Sequence, residues 1–443
     1  MNVHVPQTLE AQAELRMLSA SKYKIISAQG SKPNYCIVQD SLLAAYRMTL
    51  GFQKVKKEDF FNISLKLDHL SSQQVLNKMQ HIRRILKEKG KKIQCFTGKG
   101  LISLAFPDDL NYEKKNNTDP KEPVVRIYRG VLYEGTLDKT VLGATHNSLI
   151  QIINKEYGCD EAARFIDSIQ FITNNWLLID GFSVGLEDCM VQGEDKVNEI
   201  NNVIQKCFIE AEGIKTTTTH PGIREVRITG ALSKAKDLGL KIAKDALNED
   251  NNFLSTVRSG SKGDWFNIAQ ITGLLSQQNL LGKRVVPVLN NGKRTLHHYP
   301  FENLSMEMEY ESKGFIDSSF IKGLNPRQFY FHSMAGREGV CDTAMNTASS
   351  GYIQRRIIKL TEDIKINYDG TVRDAVGSIY QLAYGEDGIN PESTIKVEGN
   401  NEICDINSIV SKINMKHEIS LKNKKKQNSD IDEIVSGIKN IKI

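Results

Sequence analysis

Apolar residues recur at helical spacing over most of this chain, and only a few short stretches alternate. Thr8 opens T-L-E-A-Q-A-E-L as a capped helix, entered from a short strand over the first residues. The Gly30-Ser31-Lys32-Pro33 sequence reads as a turn, so residues 1–50 form an α/β edge. Residues 51–92, rich in lysine and containing L-S-S-Q-Q-V-L-N-K-M-Q-H-I-R-R-I-L-K-E-K-G-K-K, predict an amphipathic helical hairpin with His69 and His81 on its solvated side. Residues 111–122 are a polar loop, and residues 124–143 alternate and turn like a β-hairpin. A helical stretch then runs to N-W-L-L-I-D-G-F-S-V-G-L-E-D, where Leu177, Leu178 and Ile179 continue an apolar face and make Trp176 a core anchor. Residues 187–248 are strongly helical but broken at T-T-T-T-H-P-G, which predicts two antiparallel helices with charged outer faces and His220 in the turn.

The longest uninterrupted pattern begins at Asn325. Asn325 suits a cap and Pro326 the first helical position, and no stop is met before Tyr368-Asp369-Gly370. A helix of roughly 35 to 40 residues follows, ~50 to 60 Å long. Its composition is unusual for a core helix. Gly336, Gly339 and Gly351, with Ser333, Ala335, Ala344, Thr347, Ala348, Ser349 and Ser350, interrupt any apolar stripe. Each interior glycine costs ~1 kcal/mol relative to alanine. Bare backbone on one side, together with Arg337, Arg355 and Arg356, suits a helix that crosses a cleft against a large planar or anionic object. A buried helix with packing glycines is the other reading of the same residues.

Composition narrows the classes. The 443 residues are 40% hydrophobic and 25% charged, as expected of a protein with a core and of two to four domains by length. No apolar run reaches the ~18 to 20 residues of a membrane span, and M-N-V-H-V-P-Q lacks the pattern of a signal peptide, so an intracellular protein is expected. Seven scattered cysteines, none in C-x-x-C spacing, support neither a zinc site nor a disulfide framework. The net charge of +5 permits nucleic-acid contact without arguing for it. Ser259-Gly260-Ser261-Lys262-Gly263 offers small residues and a cation, as a phosphate loop does, but departs from G-x-x-x-x-G-K-[ST].

The segment F-Y-F-H-S-M-A-G-R-E-G-x-x-D-T-A-x-x-T-A-x-x-G-Y-I-Q-R-R resembles, nearly residue for residue, the bridge helix of the largest subunit of multisubunit DNA-dependent RNA polymerases, of the eukaryotic or nucleocytoplasmic large-virus type. N-W-L-L-I-D-G-F-S, G-S-K-G-D-W-F-N-I-A-Q and Y-G-E-D-G resemble further blocks of that subunit, and the resemblance covers about 1–50 and 95–392. It implies an α+β, mainly helical, multi-domain fragment. The implied parts are the end of the active-site region (1–50), a divergent helical insert (51–95), the pore (96–186), the funnel (187–310), the bridge helix and start of the cleft domain (311–392), and a divergent tail (393–443) whose K-N-K-K-K run reads as solvated.

The resemblance also implies roles. Thr347 and Ala348 would lie beneath the template base at the +1 site, Tyr352 would border the template strand, and Arg355 and Arg356 would face nucleic-acid phosphate. Lys262 would contact the triphosphate of the incoming nucleotide. Gln270, Gln277, Gln278, Lys283, His332 and Glu338 would line the floor of the nucleotide funnel, His332 packing there rather than acting as an acid or base. Asn346 stands where the family usually has lysine, and Ala335 where it usually has glycine. In the family, M-N-x-H-V-P-Q follows the aspartate-rich loop that holds the catalytic Mg²⁺, so the resemblance places the metal ligands and the trigger loop outside this sequence. No other carboxylate cluster replaces them; Asp40 is isolated. The expected partners are the second-largest and other polymerase subunits, upstream and downstream parts of the largest subunit, DNA template, RNA and nucleoside triphosphates, in the nucleus or at a viral replication site or in the virion. Two alternatives stay open: an inactive or misannotated polymerase fragment, and a non-catalytic nucleic-acid-binding scaffold.

Overall fold

The computed structural model describes residues 3–91, 95–116, 122–190, 194–247, 250–397 and 400–403, with scattered positions from 406 to 417. Just over half of the chain is helical, and the sheets are small antiparallel pairs or triplets, so the fold is the mainly helical α+β class expected. It divides into two compact units, residues 1–179 with 389–443 and residues 180–388. Among the described residues no helix is long and apolar enough to cross a membrane.

The first unit opens with α1 (Leu9–Met17), capped by Thr8, whose hydroxyl accepts the Ala11 N–H at 3.2 Å. The strand expected before it does not form: Val3 and Val5 are exposed and have no neighbouring strand to pair with. β1 (Ile26–Ser27) and β2 (Lys32–Pro33) pair across the Gly30 turn. α2 (Gln39–Thr49), α3 (Lys57–Ser64), α4 (Ser72–Glu88) and α5 (Gly98–Ser103) follow. The helices predicted over 51–92 are present, and they complete the core rather than decorate it. Phe60, Val75, Ile82 and Ile85 join Met48, Leu101, Phe106 and Phe165 in one buried cluster. His81 is therefore half-buried, with a ring nitrogen 2.8 Å from the Arg129 carbonyl oxygen, and not on a solvated face as expected; His69 is exposed.

In α5 the G-K-G sequence is forced by space. A Cβ on Gly98 would lie 2.0 Å from the Met48 carbonyl oxygen, and one on Gly100 2.1 Å from that of Cys95. Between them, the buried Lys99 pairs with Glu122 and lies 4.6 Å over the Phe52 ring. β3 (Tyr112–Lys115), β4 (Val124–Tyr128) and β5 (Val131–Glu134) form one antiparallel sheet, the last two being the predicted hairpin. The expected polar loop over 111–122 thus begins as a strand, because Tyr112 is buried opposite Ile127 while its polar neighbours face outward; residues 117–121 lie outside the described residues. After α6 (Lys139–Leu142), α7 (Leu149–Tyr157) and α8 (Cys159–Asp180) close the core, where Trp176 is 7% exposed as an anchor should be.

In the second unit α9 (Glu194–Thr217) and α10 (Pro221–Ala246) are the predicted pair. Thr218 meets Arg227 and Glu210 meets Lys234, a pairing that only antiparallel helices give. His220 caps α10, its Nδ1 accepting the Ile223 N–H at 3.4 Å. The chain continues through α11 (Asn252–Ser259), α12 (Trp265–Thr272), β6 (Ser276–Gln277), β7 (Asn279–Leu280), β8 (Lys283–Arg284), the short turn α13 (Leu289–Gly292), α14 (Met306–Ser312) and β9 (Phe315–Ile316). Phe208 stacks on Tyr310 at 4.8 Å and meets Phe315 edge-on at 5.0 Å, which ties α9 to α14 and β9. The long helix α15 (Pro326–Thr361) then leads to the sheet of β10 (Lys365–Ile366), β11 (Val372–Arg373) and β12 (Ile379–Gln381). α15 stops before the expected Tyr368-Asp369-Gly370 signal, because those residues form the turn between β10 and β11, with Asp369 accepting from Thr371. β13 (Ile395–Val397) and β14 (Asn400–Glu402) return the chain to the first unit; the lysine run at 422–426 lies outside the described residues.

Candidate nucleic-acid interface on the long helix

α15 is started by its own sequence. Asn325 Oδ1 accepts the Gln328 N–H at 2.8 Å and Gln328 Oε1 accepts the Asn325 N–H at 3.3 Å, a reciprocal capping box with Pro326 at the first position. Gln328 Nε2 also donates to Asp317 at 2.7 Å, and Arg327 pairs with Glu311 at 3.0 Å while its guanidinium lies over Tyr299. Phe331 is buried against Tyr299 and Val285.

The next turns are fastened to Gln278 just before β7, to Phe320, and to Leu281 between β7 and β8. His332 Nδ1 lies 3.2 Å from Gln278 Oε1, and Phe320 meets the His332 ring edge-on at 5.4 Å. Both carboxylate oxygens of Glu338 accept the Leu281 N–H, at 2.9 and 3.0 Å, where Leu281 holds a left-handed backbone (φ 51°) at the hairpin tip. From Gly339 to Thr361 every residue is exposed. A Cβ on Gly336, Gly339 or Gly351 would meet nothing within 4 Å, so these glycines do not serve packing against the described residues.

At about 100° per residue the exposed half has two distinct sides. One carries Arg337, Ala344, Ala348, Gly351, Tyr352 and Arg355, that is, small residues with a guanidinium at either end. Arg337 and Arg355 are five turns apart, ~27 Å, on the same line. Thr347 and Arg356 flank this side; the Arg356 guanidinium sits 5.7 Å from the Tyr352 ring centre, and the Thr347 hydroxyl donates to the Thr343 carbonyl at 2.6 Å. Arg337, Arg355 and Arg356 have no ion-pair partner among the described residues. The opposite side carries Ile353, Ile357 and Leu360 at i, i+4 and i+7, all exposed.

The remaining expected residues scatter around this helix's base. Lys262 stands on the exposed turn after the left-handed Gly260 that ends α11, with no side-chain partner among the described residues. Gln270 lies on α12, where its carbonyl accepts the Phe320 N–H at 3.2 Å. Gln277 is used structurally, its amide donating to the carbonyls of Gln278 and Lys313 at 2.8 and 2.9 Å, while its Oε1 is buried without a partner. Lys283 is exposed on β8. The structure therefore joins Gln278 to His332, ties Glu338 to the Leu281 N–H, and leaves Lys262 and Lys283 exposed, without an ion-pair partner among the described residues. Near the Gln277 amide, which donates to the Lys313 carbonyl, burial pulls the Lys313 ammonium pKa down and pushes the Tyr310 hydroxyl up, Tyr310 donating to Glu212 at 3.0 Å. Arg337, noted in the sequence with Arg355 and Arg356, lies eighteen residues before Arg355 on the same line, whereas nothing in the sequence context of Phe331 marks it as the buried anchor of the helix. Among the described residues no group of three or more His, Cys, Asp or Glu could hold a metal ion.

Three family models match in succession: "RNA polymerase Rpb1, domain 3" over residues 24–189, "RNA polymerase Rpb1, domain 4" over 215–316 and "RNA polymerase Rpb1, domain 5" over 323–437. A "Probable DNA-directed RNA polymerase II subunit RPB1 homolog" of Invertebrate iridescent virus 6 is 47% identical over 446 residues, covering 95% of this chain and 42% of the relative. "DNA-directed RNA polymerase II subunit RPB1-B" and "RPB1-A" of Trypanosoma brucei brucei are each 36% identical over 405 residues, covering 88% of this chain and 22% of the relative. The chain thus spans less than half the length of these curated relatives. With its α+β fold, its long capped helix and three consecutive domain matches, the chain belongs to the Rpb1 family of RNA polymerase largest subunits.

Proposed function

We propose that this chain supplies the bridge helix, pore and funnel of a DNA-directed RNA polymerase, positioning template and nucleotide for RNA synthesis from ribonucleoside triphosphates. Residues 96–186 are the pore, 187–310 the funnel, and 311–392 the bridge helix and start of the cleft domain. The observation that carries the reading is the exposed side of α15: small residues that admit a flat base pair, set between unpaired arginines suited to phosphate.

In this reading Thr347 and Ala348 lie beneath the +1 base pair, Tyr352 borders the template, and Arg355 and Arg356 hold backbone phosphate. Lys262 meets the triphosphate. Gln270, Gln277, Gln278, Lys283, His332 and Glu338 form the floor along which nucleotides enter. Such contacts contribute by orientation and by charge placed where phosphoryl transfer needs it. Among the described residues no group of three or more His, Cys, Asp or Glu could hold a metal ion, and in this reading, as the family resemblance implies, the Mg²⁺ of the assembled enzyme would be held by carboxylates of another part of the largest subunit. The chain works within a complex with the second-largest subunit and the rest of the largest subunit, on DNA and RNA, in the nucleus or at a viral replication site.

The test is Thr347→Trp in the assembled polymerase, assayed by RNA extension on a preformed template and RNA scaffold. Position 347 is exposed, so the indole meets nothing in this chain and circular dichroism should be unchanged. Extension should be abolished; normal extension by the variant would sink the assignment.

A further inference from the structure

The lysine-rich stretch 51–92 gives its apolar side to the core of the first unit, which leaves its cations without a role. It holds eleven Lys or Arg against four Asp or Glu, a formal net charge of +7 where the whole chain carries +5, so the other residues together sum to −2. Positive charge is thus concentrated here rather than spread over the chain.

The fold gathers five of these cations. Residues 53–55 run beside 96–98: the Val55 N–H donates to the Phe96 carbonyl at 3.1 Å, the Gly98 N–H to that of Gln53 at 2.9 Å, and Lys54 stands opposite Thr97. α4 meets the same segment, where Arg83 Nε donates to the Cys95 sulfur at 3.2 Å. The Phe96 ring, met edge-on by Phe60 and Phe61, has the Lys57 ammonium 5.6 Å and the Arg83 guanidinium 5.7 Å from its centre. Lys87 stands one turn beyond Arg83, and Lys91 lies 5.8 Å from the centre of the Phe52 ring.

Among the described residues none of Lys54, Lys57, Arg83, Lys87 and Lys91 is in an ion pair; aromatic rings hold three of them instead. The nearby acids do not cancel the surplus. Glu58 and Asp59 lie in the first turn of α3, where the helix N–H groups favour them, Glu88 stands one turn from Arg84 further round α4, and Glu122 is taken by Lys99. Like charges held on one surface repel, and a polyanion that spans them relieves the repulsion. The surface also lacks what a protein partner needs, an apolar centre. From Leu76 on, this side of α4 shows Gln80, Arg83 and Lys87, while Phe52 and Phe96 are half-buried with cations against them. A phosphodiester backbone asks only for repeated positive charge.

We infer that the surface formed by Lys54, Lys57, Arg83, Lys87 and Lys91 binds the phosphodiester backbone of a nucleic acid, without regard to base sequence and separately from α15.

The full chain is titrated by fluorescence anisotropy between about 50 and 200 mM salt, the range over which phosphate contacts weaken steeply. The probes are a labelled single-stranded RNA hexadecamer, a duplex DNA of the same length and a polyglutamate of equal charge. Both nucleic acids should bind saturably. Lys54→Gln with Lys57→Gln and Lys87→Gln, all at exposed positions, should leave the melting temperature in place, weaken binding about tenfold and flatten the salt slope by about two. The same loss is expected in a chain that already carries Arg355→Gln and Arg356→Gln, so this surface and α15 are read separately. Whichever of RNA and duplex DNA binds more tightly names the source of the phosphates, and either preference supports a backbone site. No saturable binding by the unaltered chain, or a triple variant with unchanged affinity and slope, would overturn the proposal; the second result would leave the reading of α15 untouched. Polyglutamate bound as tightly as the nucleic acids would overturn it in favour of an acidic polypeptide.

Discussion

At the scale of single residues, the most consequential placement outside α15 is Lys99. It is 1% exposed, flanked by two glycines that admit no side chain, and neutralised by Glu122, which also accepts the Gly135 N–H at 2.8 Å. Removing one member of a buried pair leaves a charge without compensation, which costs about 3 kcal/mol or more, whereas replacing both by apolar or neutral groups is far milder. Lys99→Ala should therefore lower the unfolding midpoint of the chain sharply, and Lys99→Met combined with Glu122→Gln should restore a good part of it. Calorimetry of the three proteins checks this: a double variant no more stable than the single one would mean that Lys99 acts through its packing on Phe52 and not through charge.

At the scale of elements, α15 is a helix in two halves. Its first half is fastened by Phe331, His332 and Glu338; from Gly339 to Thr361 every residue is exposed and, among the described residues, none bonds to another element. Since no atom of the described residues lies where a Gly351 side chain would go, Gly351→Ala should stabilise the helix in the isolated chain by ~1 kcal/mol, read as slower amide exchange over the neighbouring residues. In the assembled polymerase the same change should instead slow nucleotide addition, if bare backbone there faces a bound object. Unchanged exchange in the isolated chain would contradict the account of the helix as unsupported. This element was the most legible in the sequence, because its start is written locally in Asn325, Pro326 and Gln328, and no breaker follows for more than thirty residues. What the sequence hid was non-local. The bond from Leu281 to Glu338 joins positions 57 apart, the strand at Tyr112 rests on one buried ring in a run of lysines and asparagines, and the amphipathic pattern of α4 announces an apolar face without saying that His81 and the unit's core will meet it. The roles of Thr347, Ala348 and Lys262 were legible only through family resemblance, since small exposed residues carry no chemical signal of their own.

At the scale of the whole molecule, the distribution of apolar surface argues that the chain works in company. Leu9, Met17 and Leu18 of the α1 region are exposed, as are Ile353, Ile357 and Leu360 on α15 and Tyr368, Val376 and Leu382 around the β10–β12 sheet. Single exposed apolar residues are ordinary, but the stripe on α15 is regular, and β12 is a sheet edge with side chains bare on both faces. Such surfaces associate unless something covers them. The isolated chain should therefore self-associate with rising concentration in sedimentation velocity, and Ile357→Lys with Leu360→Lys should reduce that association without altering helix content, because neither residue supports the fold. Within an assembled polymerase the same two substitutions should have the opposite cost: the stripe would then be covered by other polymerase polypeptide, and the charged variant should assemble poorly. A chain that stays monomeric at all concentrations, or a double variant that assembles as the unaltered protein does, would show that the Ile353–Ile357–Leu360 side of α15 is simply solvated and that only its arginine side faces a partner.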